Sequence, residues 1–177
     1  EADIGEVYVA TEDKEILDDV NLNKGKAILT SNKHKTGSDR IFECFEKLDL
    51  KNIDYIINLQ GDEPNIDVND LKHLNKLVDM NKPEIGTLGS EIKDKNSLNN
   101  ENIVKVITES KITDVNFPIA KDFKRKLKNL ELNTYHHLGI YAYKPDVLKK
   151  IIKLKQTSNE IKNRLEQLRA MENRIKI

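Results

Sequence analysis

Two carboxylates stand where an apolar run stops. The run covers Tyr55 to Leu59, and the stop is Gln60-Gly61-Asp62-Glu63-Pro64. A short β-branched run ended by Gly and Pro reads as a buried strand. In open α/β sheets, ligands bind in the crevice beyond the carboxyl ends of the strands. Carboxylates placed there supply the hard oxygen donors that a cation carrying a nucleoside triphosphate requires. The same five residues also suit a plain polar turn, with Gly for backbone freedom and Pro to open the next segment.

A second polar stretch, Thr30 to Arg40, runs into a helix start. Such a terminus presents free backbone N–H groups that favour anions or polar base edges. It also fits an ordinary loop with Ser38 as helix cap. A third stretch, Tyr135 to Tyr143, gathers two His and three Tyr around a short strand. Strand alternation places His137, Gly139, Tyr141 and Tyr143 on one face. Their polar tips could line a pocket for a hydroxylated ligand, or they could be half-buried sheet residues. Paired His would suit a transition metal, but no third soft ligand has the spacing for zinc. Glu166 and Gln167 lie off the apolar stripe of the last helix, where a solvated face is the default. Cys44 sits on the buried side of its helix and reads as structural. No Walker loop, Gly-x-Ser-x-Gly elbow or zinc-ribbon spacing occurs.

The elements that must position these residues alternate. Glu6–Ala10, Lys26–Leu29, Ile53–Leu59, Ile85–Ile92, Val104–Ile107 and Leu138–Tyr143 read as strands, with Ile53–Leu59 as the central one. Thr11 is expected to cap a first helix with an acidic first turn. Ser38 is expected to cap a second helix through about Leu48, burying Ile41, Phe42, Phe45 and Leu48. Asp67 caps a third, burying Leu71, Leu74 and Val78. Pro145 opens a fourth, with Val147, Leu148, Ile151 and Ile152 inward. Thr157-Ser-Asn-Glu160 is a capping box before a last helix that aligns Ile161, Leu165, Leu168 and Met171. Arg174–Ile177 reads as a further strand, cut off. Strands alternating with helices imply βαβ units and a mostly parallel sheet.

Composition narrows the partners. The 177 residues suit a single domain, 1–177, with a sizeable core. Thirty basic and 30 acidic residues cancel, which gives no bulk argument for a nucleic acid polymer or an anionic membrane. No apolar run approaches the ~20 residues of a membrane span, and no signal peptide is visible. A lone cysteine permits no intrachain disulfide and points to a reducing, cytoplasmic setting.

Taken in order, these segments resemble the 3-deoxy-manno-octulosonate cytidylyltransferases, or CMP-Kdo synthetases. The resemblance is carried by Val9-Ala-Thr-Glu-Asp13, Leu29-Thr-Ser31 with His34-Lys-Thr-Gly-Ser-Asp-Arg40, and Asn58-Leu-Gln-Gly-Asp-Glu-Pro64. It continues through Asn102-Ile-Val-Lys-Val106, His136-His-Leu-Gly-Ile-Tyr-Ala-Tyr143 and Leu165-Glu-Gln-Leu-Arg169. It covers essentially the whole chain. It implies a Rossmann-like α/β fold of the nucleotide-diphospho-sugar transferase type, usually homodimeric. It also implies transfer of CMP from CTP to Kdo for lipopolysaccharide synthesis. By the same resemblance, Asp62 is expected to bind the Mg²⁺ that holds the CTP phosphates. Gln60 would touch the sugar, and His137, Tyr141, Glu166 and Gln167 would line its pocket. Gly37, Ser38 and Arg40 would lie near the cytidine.

Three departures qualify the likeness. The family's N-terminal phosphate loop is absent, as is its Gly-x-Asp-Thr segment, whose Asp is a second metal ligand. Both ends thus read as truncated, so this segment alone is expected to be weakly active or inactive. The third departure lies at Asp114 to Asp122, where the family's Ser-Arg pair is missing. It leaves open another acid sugar, such as an aminated Kdo or a sialic-type acid. A non-catalytic nucleotide-binding module is the remaining alternative.

Overall fold

The computed structural model describes residues 3–61 and 66–177. Asp62 and its neighbours through residue 65 therefore lie outside the described residues. The order of elements is β1 (Val9–Thr11), α1 (Lys14–Leu22), β2 (Ala27–Leu29), α2 (Gly37–Leu48), β3 (Ile56–Asn58), α3 (Val68–Asn81) and β4 (Ile85–Glu91). Next come β5 (Lys105–Thr108), β6 (Ala120–Lys124), β7 (Thr134–Tyr143), α4 (Pro145–Ile151), α5 (Ser158–Asn163) and α6 (Gln167–Glu172).

The α/β class stands, and β7 organises it. One edge of β7 pairs with β4 along almost its whole length. Its other edge pairs with β5 at its start and with β3 at its end. All three pairings are antiparallel, so β3, β4 and β5 share one direction while β7 runs against them. The parallel ladder itself is β1 on β2. The sequence pattern favours β3 at the centre; the central place belongs instead to β7, which is longer and has partners on both edges.

Side chains alternate across β7 and split the core in two. Ile140 and Ala142 face α3, packing with Leu74 and Val78. Tyr141 and Tyr143 face the other side, with Phe42 of α2, Leu148 and Ile151 of α4, and Leu168 and Ala170 of α6. Helices therefore cover both faces of the sheet.

Most local signals operate as read, and the exceptions have local causes. Asp67 accepts from the Asn69 N–H at 2.8 Å and caps α3. Pro145 occupies the first turn of α4. At the first helix, Thr11 accepts only from the Asp13 N–H, and Asp13 is the cap of α1, accepting from Glu15. At α2 the cap is Thr36 rather than Ser38. Thr36 Oγ1 accepts from the Asp39 N–H at 3.3 Å and donates to the Asp39 carboxylate at 2.9 Å. This reciprocal pair moves the helix start two residues upstream and places Ser38 inside the first turn, where it is buried. The single last helix is instead two, because Arg164 adopts a left-handed φ of 53° between α5 and α6. Ile161, expected inward, is consequently exposed. Arg174 is also left-handed, at φ 60°, and the segment after it forms no strand. It is tied to the sheet by the Ala120 N–H, which donates to Ile177 O at 2.8 Å.

Candidate active site

Three chain segments converge beside the end of β7. The start of α2 brings Ser38, the last residues of β7 bring Tyr141 and Tyr143, and the turn into α6 brings Glu166 and Gln167. With Ile85, Ile151 and Ala170 they line a cavity of about 10 Å³, room for roughly one water. Its polar groups all come from sequence positions expected to do chemistry, Tyr143 through strand alternation alone.

Glu166 is the electrostatic centre of this cluster. Its Oε1 is buried and has no hydrogen-bond partner. Burial raises its pKa above the usual carboxylate range, while the Ser38 and Thr36 hydroxyls and the Arg169 guanidinium pull the other way. A buried carboxylate oxygen with a free lone pair is costly unless something donates to it. A ligand hydroxyl would suit it. Burial also raises both tyrosines, with the Glu166 charge adding to the effect, so both stay neutral phenols able to donate.

His137 stands one side chain away from the cavity. Its ring lies 5.3 Å from that of Tyr141 and meets Phe123 edge-on at 5.0 Å. Its Nε2 is 3.0 Å from Thr87 Oγ1. The Thr87 hydroxyl has one proton, which goes to Ile140 O at 2.6 Å. His137 therefore carries its proton on Nε2 and donates to Thr87. Burial, with a smaller contribution from His136, pulls the His137 pKa down to about 3. The imidazole is neutral at physiological pH.

A β-bulge shapes this end of the sheet. Thr87 pairs with Tyr141 but Leu88 pairs with Leu138, which leaves Gly139 and Ile140 without partners on β4. Gln60 lies over the bulge: a Cβ added at Gly139 would stand 3.4 Å from Gln60 Nε2. Gln60 thus reaches the same sheet end as His137 and Tyr141.

Gly37 and Arg40 do not join that cavity. The atom nearest an added Gly37 Cβ is Asn58 Nδ2 of β3, at 4.0 Å. Arg40 turns toward the β1–β2 side, paired with Glu12 and donating to Thr30 Oγ1 at 2.7 Å. The first turn of α2 therefore straddles two regions. Glu43, further along α2, holds the preceding loop: it accepts from the Ser31 N–H at 2.9 Å and pairs with His34 and Lys47. Lys47, then the Ser31 N–H, then His34 hold the Glu43 carboxyl at about 2, so it is ionised.

Sequence reasoning missed Thr36 and Thr87 as members of the site, whereas strand alternation had already put Tyr143 on the pocket face. Thr36 was legible from the Thr-x-x-Asp spacing. Thr87 carried no signal, because its role depends on the cross-strand register. No group of three His, Cys, Asp or Glu that could hold a metal occurs among the described residues.

Comparisons with known proteins give the family. A cytidylyltransferase family model matches residues 2–177. The 3-deoxy-manno-octulosonate cytidylyltransferase of Thermodesulfovibrio yellowstonii is 41% identical over 184 residues, spanning 98% of this chain and 72% of that protein. A solved structure of CMP:2-keto-3-deoxy-manno-octonic acid synthetase complexed with CTP superposes with a TM-score of 0.84. It is 34% identical and covers 98% of this chain and 70% of its own. A putative glucose-1-phosphate thymidylyltransferase from Bacillus anthracis shares the fold alone, at 14% identity and a TM-score of 0.55 over 91% of this chain and 60% of its own. The chain belongs to the 3-deoxy-manno-octulosonate cytidylyltransferase family of nucleotidyltransferases.

Proposed function

We propose that the protein transfers CMP from CTP to the anomeric hydroxyl of Kdo, giving CMP-Kdo and pyrophosphate for lipopolysaccharide synthesis. The observation that carries the reading is the clustering of Ser38, Tyr141, Glu166 and Gln167 beside the end of β7 in a chain of this family, around a gap with room for a single ligand hydroxyl rather than the whole sugar. The anomeric oxygen attacks the α-phosphorus in line. The new O–P bond forms as the bond to the β-phosphate oxygen breaks, and the hydroxyl proton is released. Little covalent chemistry falls to the protein in such a transfer, so positioning dominates. Neutral Tyr141 and Glu166 Oε1, which accepts no hydrogen bond and has Arg169 Nη2 at 3.7 Å, offer a donor and an acceptor to sugar hydroxyls, with Gln167 beside them and Gln60 over the β7 bulge. His137, fixed by Thr87, backs the Tyr141 ring. Gly37 and Arg40, on the other side of α2, fit the cytidine end.

The reading includes Mg²⁺ as cofactor. Asp62 is a hard oxygen donor of the type Mg²⁺ takes, with phosphate oxygens and water completing the shell. When bound, the ion supplies charge neutralisation to the triphosphate. A cytoplasmic homodimer is the proposed setting. No helix among the described residues is long and apolar enough to cross a membrane.

Pyrophosphate release from CTP and Mg²⁺ tests the reading, with Kdo and other acid sugars compared in the intact enzyme. Release with Kdo is expected. Release only with an aminated Kdo or a sialic-type acid would keep the chemistry and change the substrate. No release from folded protein with any sugar would favour a binding module. Asp62→Asn is expected to lower turnover by at least about a hundredfold and to weaken Mg²⁺ binding, measured by titration. Unchanged turnover would remove Asp62 from the metal site.

A further inference from the structure

The break between α5 and α6 is not what the local sequence favours. A capping box at Thr157 and Glu160 starts a helix, and Leu165, Leu168 and Met171 continue its apolar spacing. A non-glycine residue in the left-handed region carries a steric cost between its Cβ and the following carbonyl oxygen. Arg164 occupies that region at φ 53°. The Arg164 and Leu165 N–H groups close the end of α5 on Glu160 O, and groups outside the helix hold the chain in that break.

Two arginines do so. In an unbroken helix the Asn163 and Arg164 carbonyls would accept from the N–H groups of Gln167 and Leu168. Here they accept instead from Arg125, which stands just after β6: its Nε donates to Asn163 O at 2.7 Å and its Nη2 to Arg164 O at 2.8 Å. Its Nη1 is anchored on Glu101 O at 2.8 Å. Arg125 thus takes the acceptors a continuous helix would use. The second arginine is Arg169, whose Nε and Nη2 donate to the two Glu160 oxygens at 2.9 and 2.6 Å. Both partners are buried. Nine residues of straight helix would separate them by about 13 Å, so this bidentate pair forms only across the break.

We propose that Arg125 and Arg169 are positioning residues for the acid-sugar pocket, latching the α5–α6 break in the geometry that turns Glu166 and Gln167 into the cavity. The inference rests on Glu166 and Gln167 being sugar-pocket residues. Arg169 also stands 3.7 Å from Glu166 Oε1, so the latch and the pocket share a side chain.

Steady-state kinetics of the intact enzyme with CTP, Mg²⁺ and Kdo test the latch. Arg125 is only half-buried, so Arg125→Met is the first variant. It is expected to raise the KM for Kdo about tenfold, the loss of one to two charge-assisted bonds, with the KM for CTP within about twofold. Adding Arg164→Gly, which removes the left-handed strain, is expected to recover part of the loss. Arg125→Met and Glu166→Gln are expected to be non-additive on the Kdo KM, because one acts through the other. Equal rises in both KM values, or full additivity, would overturn the proposal. For Arg169, the apolar pair Glu160→Leu with Arg169→Met keeps the interior filled and is expected to raise the Kdo KM in the same way.

Hydrogen exchange separates this inference from the pocket reading. Arg125→Met is expected to change exchange at the Leu165 amide, which donates to Glu160 O at 3.2 Å, and at the Leu168 amide. Unchanged exchange there overturns the latch whatever sugar is used. Changed exchange with a Kdo KM indifferent to Glu166→Gln would keep the latch and overturn the pocket assignment.

Discussion

At the scale of single residues, the site consists of buried polar groups whose protonation is set by their surroundings. His137 is the sharpest case. Its folded pKa of about 3 lies below the ordinary 6.5, so the unfolded chain binds the extra proton more readily. Its contribution to stability is complete above pH 6.5 and is lost as pH falls from 6.5 toward 3. The slope is about 1.4 kcal/mol per pH unit inside that window. His137→Gln keeps a donor for Thr87 and cannot titrate. The wild type is expected to lose about 1 kcal/mol more than this variant between roughly pH 6 and 5, measured by denaturant unfolding. The His137 ring resonances are expected to stay fixed from about pH 8 to 5. A midpoint near 6 would show an accessible imidazole and remove the Thr87 argument.

At the scale of elements, small residues and caps decide how closely helices approach the sheet. Gly86 of β4 lies beneath α3. A Cβ there would stand 2.7 Å from Val78 Cγ2 and 3.0 Å from Phe117 Cζ, so something must shift. Gly86→Ala is expected to destabilise by about 1–3 kcal/mol in chemical denaturation, with an unchanged denaturant slope. The cap of α2 is the second such point. Thr36→Ala removes the acceptor for the Asp39 N–H and is expected to cost about 1 kcal/mol, while Thr36→Ser retains most of it. Equal Tm values for the two variants would show that Thr36 does not cap. Thr36 is also one of the hydroxyls beside Glu166, so the cap and the site share a residue.

At the scale of the whole molecule, β7 is the common member of the two larger cores and of three strand pairings. Its amides are expected to exchange most slowly with solvent, at rates approaching those of global unfolding. The β1–β2 ladder pairs only three residues on each strand, and α1 buries no residue. That region is expected to exchange fastest among the regular elements. Hydrogen exchange read by mass spectrometry tests the order, and equal protection of α1 and β7 would contradict it.

Much of this was legible in the sequence. The strand-helix alternation, the Asp67 cap, the capping box at Thr157 and the apolar faces of α2, α3 and α4 come from spacing and side-chain chemistry alone. So did the candidacy of Ser38, Tyr141, Glu166 and Gln167, through motif order. These signals are local: period, cap residue and turn residue act within a few positions of themselves. The tertiary structure decided the rest. It put β7 rather than β3 at the centre, a choice between strands far apart in sequence. It placed Thr87 behind His137, which needed a register shift between two strands. It left Arg40 on the other side of α2 from the cavity. And it broke the last helix at Arg164, because Arg125, nearly forty residues upstream, reaches the carbonyls a continuous helix would have used. Local propensity cannot report such a contact, since its energy exists only once distant parts of the chain have met.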